Sequence, residues 1–492
     1  MKNPIKCAAQ VMAMLATTCA IAQSPLQLDP SFSAPQLSSI AIGGGVFSAL
    51  PLNDGTTLIG EDSTGGFPIV HKLLPSGARD PSFTGLSSGD YHLQAWQDMF
   101  YAATLHGVGR FYGDGSPDYT YGAPDSLGGM DYVGDYYLYP DGSIVLAGES
   151  YLTDTADGWV GAGWDLTWFT PSGHLDNTHT PRQGNGNMSA LSRLDDGSFL
   201  ISGFTPGFGQ MVYDGHPVRN MFKVDSLGVV DTTFNTTMNY GLTTAFLPLS
   251  NGKTLACGFF MFDGDADTMQ VVRLMPDGSL DTTFNNHLSL LYSSGNVQYT
   301  YASIYQVLPL SPDSLIIVGS FNRVDGIAHD CIALIDSTGH LRNEIFPAGS
   351  GARSYTDIDG LHQMIYRITA IPSGGYYICG AYHGYSDGAN TDNSQWAMSR
   401  LYGFNVGIHE QVPERTSIRV YPDPATTEVY LSADGDRARR IEIIDILGQC
   451  VLQSPYTRNT PMNVSALASG TYTARLFDAR GVPVAVGRFV KE

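Results

Sequence analysis

The stretch from Thr243 to Asn285 confines this chain to a narrow set of folds. It reads as an apolar run to Ser250, then Asn251-Gly252, a second run Lys253–Phe260, a third Gln270–Pro276, then Asp277-Gly278 and Ser279–Asn285. Asn-Gly and Asp-Gly between apolar runs are strong hairpin signals, because a type I′ turn needs positive φ at both central residues. The stretch is therefore expected to form two hairpins, four short antiparallel strands.

Most of the chain repeats it. The first turn recurs at Asp54-Gly55, Asp141-Gly142, Asp196-Gly197, Asp313-Ser314 and Gly374-Gly375, and the second at Ser76-Gly77, Asp114-Gly115, Ser172-Gly173, Leu227-Gly228 and Thr338-Gly339. A strand ending on glycine follows the first turn (Gly60, Gly148, Gly203, Gly258, Gly319, Gly380). A Leu-Asp-x-x-Phe echo follows the second, clearest at Asp80–Phe83, Asp231–Phe234 and Asp281–Phe284. Repeats of this length signal solenoids or propellers. Seven copies are readable; the second has lost its first turn, and the seventh, Ile368–Tyr382 with Gln395–Phe404, lacks the tail. The missing tail stands alone near the N-terminus as Leu28-Asp29-Pro30-Ser31-Phe32. The expected fold is all-β: a seven-bladed β-propeller whose N-terminal strand closes the last blade, a ring without exposed edges. An open β-solenoid leaves the split repeat unexplained.

The repeats resemble the delta-60 repeat of bacterial β-propellers over about Leu26 to Phe404, most fully at Phe246–Phe260 and Val272–Asn285. That resemblance implies a fold and no general enzymatic activity. Residues 405–417 are polar and read as a linker. Beyond them, short apolar runs suit a small Ig-like β-sandwich over 418–492. Tyr421-Pro422-Asp423-Pro424, Ile441–Gln449 with Asp445 and Gly448, Leu467–Tyr472 with Gly470, and Arg488-Phe489-Val490-Lys491 are similar, in order and spacing, to the type A C-terminal sorting domain of the type IX (Por) secretion system of Bacteroidetes. Asp423 stands where that family usually has Asn. The resemblance implies export, passage of the outer membrane guided by this domain, its removal, and release or attachment to surface lipopolysaccharide. On physical grounds alone, Pro422 and Pro424 fix an extended entry, Asp445 and Gly448 a turn, and Tyr472 and Phe489 belong to the core.

At the other end, Lys2 and Lys6 precede the apolar Cys7–Ile21, and Ala20-Ile21-Ala22 before Gln23 is a cleavage signal. Residues 1–22 read as a signal peptide, and no run is suited to span a membrane. The net charge of −21 rests on 39 aspartates and 8 glutamates. Aspartate is turn chemistry, and this balance excludes a nucleic-acid partner, which needs basic stripes. Cys257 and Cys379 occupy one place in two different repeats and read, with Cys331 and Cys450, as buried hydrophobes rather than a disulfide.

Candidate sites are few. Features in every copy are structural; features in one copy are site candidates. Asp214-Gly215, Asp263-Gly264, Asp325-Gly326 and Asp387-Gly388 recur as a turn. Asp263, Asp265 and Asp267 alternate in one copy only, a pattern able to offer calcium oxygen ligands, although no distal glutamate follows. The long loops Glu149–Leu166, Thr205–Asn220 and Tyr382–Asn393 carry Trp159, Trp164, Tyr213 and Tyr385, with Trp396 nearby. These rings are candidates for a polysaccharide-binding surface, against the plainer reading that they pack the loops down. No nucleophile elbow, zincin or P-loop motif occurs, the propeller carries only Glu61, Glu149 and Glu344 as glutamates, and the histidines show no ligand spacing. The expected function is a secreted or cell-surface binding or scaffold module for a glycan or protein, non-catalytic and without a resident cofactor. A secreted polysaccharide hydrolase or lyase and a structural surface-layer component are the alternatives.

Overall fold

The computed structural model describes residues 26–39, 44–61, 69–86, 92–104, 107–122, 127–152, 163–205, 209–294, 297–299, 302–357, 360–372, 374–403, 416–417, 419–432, 439–444, 450–457, 460–477 and 483–492. They fall in two compact units, Gln23–Val406 and Gly407–Glu492. Among the described residues there is no α-helix, only a short 3₁₀ turn at Pro35–Ser39.

The larger unit is a β-propeller built of successive antiparallel sheets. In chain order these are Val46–Pro51 with Thr57–Glu61 and Ile69–Leu73; Leu93–Trp96 with Met99–Thr104 and Gly107–Tyr112; Leu127–Leu138 with Ile144–Leu152 and Gly163–Phe169; Asn187–Arg193 with Phe199–Phe204 and Met221–Val224; Met238–Pro248 with Thr254–Phe262 and Met269–Leu274; Ser303–Ser311 with Ser314–Ser320 and Ile332–Asp336; and Met364–Ala370 with Tyr376–Ser386 and Thr391–Leu401. We number them sheets 1 to 7. The first strand of sheet 1 packs against the first strand of sheet 7. Apolar residues from neighbouring sheets fill the seams. One such cluster joins Cys257 and Val271 of sheet 5 to Ile304, Ile317 and Ala333 of sheet 6.

The turns differ from expectation in type. In the first hairpin of sheet 5, Gly252 N–H bonds to Leu249 O (3.0 Å) and Leu249 N–H to Lys253 O (2.8 Å). Only Gly252 has positive φ (78°). This is a three-residue loop, a type I turn followed by a glycine bulge, and not a two-residue type I′ turn. The residue before the glycine keeps ordinary φ because its side chain does other work: Asn251 Oδ1 accepts from Lys253 N–H at 3.1 Å, and Asp277 Oδ1 from Ser279 N–H at 3.0 Å. True type I′ turns occur at Asp214-Gly215 (φ 50° and 77°) and Asp325-Gly326 (48° and 77°), where two-residue loops join Tyr213 to His216 and Val324 to Ile327.

The fourth strand of each expected hairpin pair is reduced to a single bridge: Leu73–Arg79, Phe111–Pro117, Phe169–Leu175, Val224–Val230, Leu274–Leu280 and Ile335–Leu341. The aspartate that follows explains the early stop. Asp281 N–H still bonds to Arg273 O (2.8 Å), but its carboxylate then captures Thr283 N–H (2.9 Å) and Oγ1 (2.7 Å), which turns the chain out of the ladder. The other carboxylate oxygen receives Arg273 Nε (2.6 Å) and Lys253 Nζ (2.7 Å). Phe284 then lies against Gly339, the turn glycine of the next repeat, and Asn285 N–H bonds to Thr338 O at 2.7 Å. The echo thus finishes one sheet and locks it to the next.

The N-terminal segment makes the same contacts. Leu28 bridges Leu401, Asp29 N–H bonds to Arg400 O (2.8 Å), and Ser33 N–H bonds to Ser76 O (2.9 Å) in the turn of the first repeat. It completes sheet 7 and docks on sheet 1. Here too the expected strand is one bridge and an aspartate turn.

The smaller unit holds a five-stranded sheet, in the order Thr416–Ser417, Pro483–Lys491, Gly470–Phe477, Arg440–Ile444, Cys450–Pro455, and a three-stranded sheet, Arg419–Tyr421, Glu428–Ser432, Met462–Asn463. They share one core that includes Val429, Leu431, Ile441, Ile443, Leu476 and Phe489.

Candidate functional site

A cavity of about 470 Å³ is lined by the first strands of all seven sheets. Its chemistry follows from one repeated position. Ala49, Asp135, Ala190, Ala245, Gln306 and Arg367 each pair with the residue preceding the strand glycine. Three sheets keep alanine there. Three depart from it, and Asp135, Gln306 and Arg367 all line the cavity.

Two of the departures are acceptors with one task. Asp135 Oδ2 accepts Leu191 N–H of sheet 4 (2.9 Å), and Gln306 Oε1 accepts Ile368 N–H of sheet 7 (2.8 Å). Each ties its sheet to the next. Arg367 has no acceptor atom and cannot copy them. Instead its Nη2 lies 2.9 Å from His92 Nε2, and His92 Nδ1 lies 2.8 Å from Asp135 Oδ1. Arginine only donates, so His92 Nε2 accepts and Nδ1 carries the proton toward Asp135. The chain Asp135–His92–Arg367 joins sheets 3, 2 and 7. Burial lowers the Arg367 pKa, and the charge of Asp135 opposes that shift; a guanidinium starts so high that it stays cationic.

This arrangement positions a cation; it does not prepare a base. Both His92 nitrogens are engaged, and Asp135 is the one carboxylate on the lining. Glycoside hydrolysis needs two carboxyl groups flanking one bond. Away from the cavity, Asp165 is pushed up to about 7 by burial, with Glu149 adding to the rise. Asp165 is 4% exposed, and its Oδ2 lies beneath Gly184, where an added Cβ would sit 2.7 Å from it. It reads as a sealed acid in the seam of sheets 3 and 4. Because its folded pKa is raised, stability falls as pH climbs from 3.8 toward 7 and then levels. The cost is about 4 kcal/mol above pH 7. Asp165→Asn is expected to raise the melting temperature at pH 8 and to leave it nearly unchanged at pH 4, as thermal unfolding at both pH values will read out.

The loop aromatics do not form one open surface. Tyr213 and Tyr385 are 0% exposed, so both leave the candidate list. Tyr213 Oη bonds to Gly228 O (3.2 Å), and Tyr385 Oη to Leu26 O (3.1 Å), which pins the N-terminal segment. Trp164 is half-buried beside the core of sheet 3. Trp396 stacks on His383 at 3.6 Å and 11°. Trp159 lies outside the described residues. Tyr213 and Tyr385 hold their loops down, because a long insertion gains order only by burying such side chains.

Nor do the three alternating aspartates converge. Asp263 is taken by Arg219 Nη2 (2.8 Å) and Asn239 Nδ2 (2.9 Å). Asp265 and Asp267 gather instead with His287, whose Nε2 is 3.3 Å from Asp265 Oδ2. A nitrogen with two carboxylates is not the oxygen cage that calcium prefers. The histidines show no ligand spacing in the sequence, and neither Asp135 nor Arg367 belongs to a recognisable motif there. The available signal was their departure from alanine at an otherwise constant position.

In the smaller unit, Tyr421 is exposed and stacks on Tyr430 at 5.4 Å. The bonds before Pro422 and Pro424 are cis. Asp423 Oδ1 accepts Val490 N–H at 2.8 Å, a bond that the amide oxygen of asparagine would make equally. Gly470 pairs with Lys491, which is buried. Tyr472 stacks on Phe489 at 5.8 Å. Asp445, Gly448, Ala22 and Gln23 lie outside the described residues.

Comparison with known proteins divides along the same line. Residues 419–490 match the secretion system C-terminal sorting domain, and residues 249–284 match a β-propeller domain of unknown function, DUF5122. No curated protein matches the chain. Among solved structures, PorZ of Porphyromonas gingivalis, described as an essential bacterial surface component of the type IX secretion system, is 12% identical over 91% of this chain and 59% of its own, with a TM-score of 0.37. The extracellular domain of a hybrid two component system from Bacteroides thetaiotaomicron is 11% identical over 93% of this chain and 57% of its own, at 0.32. The Pan2 WD40 domain of Neurospora crassa is 11% identical over 74% and 90%, at 0.30. The chain thus spans under two thirds of the first two. It carries a type IX sorting domain and a β-propeller, and it is a secreted or cell-surface protein; no described helix is long and apolar enough to cross a membrane.

Proposed function

We propose that this protein is a non-catalytic binding module, exported with a signal peptide at residues 1–22 and sorted by residues 418–492, whose seven sheets close as a seven-bladed ring around its binding locus. The observation that carries this is the axial cavity: a desolvated guanidinium held in place, a histidine with no free nitrogen, and one carboxylate already bonded to a backbone N–H. Such a site recognises; it has no pair of groups to exchange protons with a substrate. The ligand is a glycan or protein outside the cell, and after removal of the sorting domain the propeller is released or held on surface lipopolysaccharide.

The test is a glycan array with the mature protein, run beside turnover assays on bacterial and algal polysaccharides. Binding without turnover is the expected result. Turnover that Asp165→Asn abolishes would replace this reading with the hydrolase one, since Asp165 and Glu149 are the one carboxyl pair with a raised member described above. Neither binding nor turnover would sink both.

A further inference from the structure

Resting on the axial cavity as the binding locus, we propose that it takes a monoanionic carboxylate ligand the size of one acidic sugar residue, clamped at two points by the Arg367 guanidinium. At the position Arg367 occupies, the other departures from alanine spend their acceptors on the next sheet. Among the described residues, the cation there ties nothing to sheet 1, and its one side-chain hydrogen bond is to His92, which Asp135 holds from the far side. Of the five N–H donors a guanidinium carries, the remainder have no partner among the described residues, and Arg367 lines the cavity. The fork is therefore oriented and only partly used, the condition for bidentate carboxylate recognition.

Charge selects the class. The permanently ionic groups on the lining are Arg193, Arg367 and Asp135, which together carry one net positive charge within a chain of −21. Remote carboxylates are screened beyond about 8 Å at physiological salt. One negative charge balances the site, whereas a dianion would meet Asp135. The hydroxyls of Ser192 and Thr369 and the apolar Leu93, Leu247 and Leu308 complete a lining that suits a hydroxylated ring. The volume, about 470 Å³, falls in the ordinary range of small-molecule sites.

Isothermal titration of the full mature chain with D-glucuronate, D-glucose, acetate and sulfate tests this. Glucuronate should bind at least roughly 30-fold more tightly than glucose, and Arg367→Gln should weaken it by a similar factor, as expected for losing a charge-assisted pair. Arg367→Lys, which keeps the charge and loses the fork, should weaken it roughly 10-fold. It carries the test should the glutamine variant not fold. Acetate as tight as glucuronate, or sulfate tighter, would show that the ring or the carboxylate was wrongly assigned. So would indifference to both substitutions. Glucuronate failing while neutral glycans bind on the array would overturn this inference and leave the binding-module reading standing; no ligand of any kind would end both.

Discussion

Removing residues 26–32 should open the propeller. In full-length protein lacking only this segment after the signal peptide, the melting temperature should drop by roughly 10 °C or more, or the protein should self-associate as sheet 7 finds its missing edge in another copy. Leu26 and Phe32 are 0% and 1% exposed, and truncating one buried aromatic alone costs about 3–5 kcal/mol. Arg400 binds the segment three ways: Nε to Asp29 Oδ2 (2.7 Å), Nη2 to Ser31 Oγ (2.6 Å), and its guanidinium 5.3 Å from the Phe32 ring centroid. Its Nη1 reaches Pro75 O in the first repeat (2.8 Å). Arg273 does the same with Asp281 and Ser337 O, and Arg110 with Asp118 and Pro171 O. Sheet 7 and sheet 1 are thus joined as other neighbours are, except that the joint is not continuous in the chain. Losing it also removes the Arg400–Asp29 ion pair, which is partly open to solvent and adds only about 1 kcal/mol. An unchanged melting curve and a monomeric elution profile would refute the closure.

Gly319→Ala is expected to be among the most damaging single methyl additions. A Cβ there would lie 1.9 Å from Ser303 O and 2.9 Å from Ile304 Cα. These are backbone atoms of the adjacent strand and cannot rotate away. The cause is the bulge between Ile304 and Gln306, which presses the inner strand toward its partner. Gly258 and Gly380 show the same contact, at 2.0 and 2.1 Å. We expect a loss above about 4 kcal/mol, enough to deplete soluble protein. Gly326→Ala is the contrast. It has φ of +77° and nothing within 4 Å, so it should cost only about 1 kcal/mol. Equal effects in chemical denaturation would mean that φ, not crowding, selects the strand glycines.

Those glycines were legible in the sequence; their reason was not. Recurrence at Gly60, Gly148, Gly203, Gly258, Gly319 and Gly380 marks a structural position, while the bulge that demands it leaves no residue signature. The Leu-Asp-x-x-Phe echo was legible because its hydrogen bonds are local, running from Asp281 to Thr283 and back to Arg273. The type I′ assignment failed since Asn-Gly and Asp-Gly suit both turn classes, and the number of strand residues paired around the loop decides between them. The loop aromatics were ambiguous for another reason. An insertion rich in tyrosine and tryptophan has the same composition whether its rings face solvent or, like Tyr213 and Tyr385, a seam.

The sequence by itself determined the β-propeller, its closure by Leu28–Phe32 and the export signal of the last residues. Each is written in short segments whose turns and pairings involve near neighbours, repeated until the pattern exceeds chance. Only the tertiary structure decided what meets at the axis. Arg367 and His92 stand 275 residues apart, in copies with no local motif in common. Closing the ring sets them 2.9 Å from each other, because a circle makes neighbours of residues that the chain keeps at opposite ends.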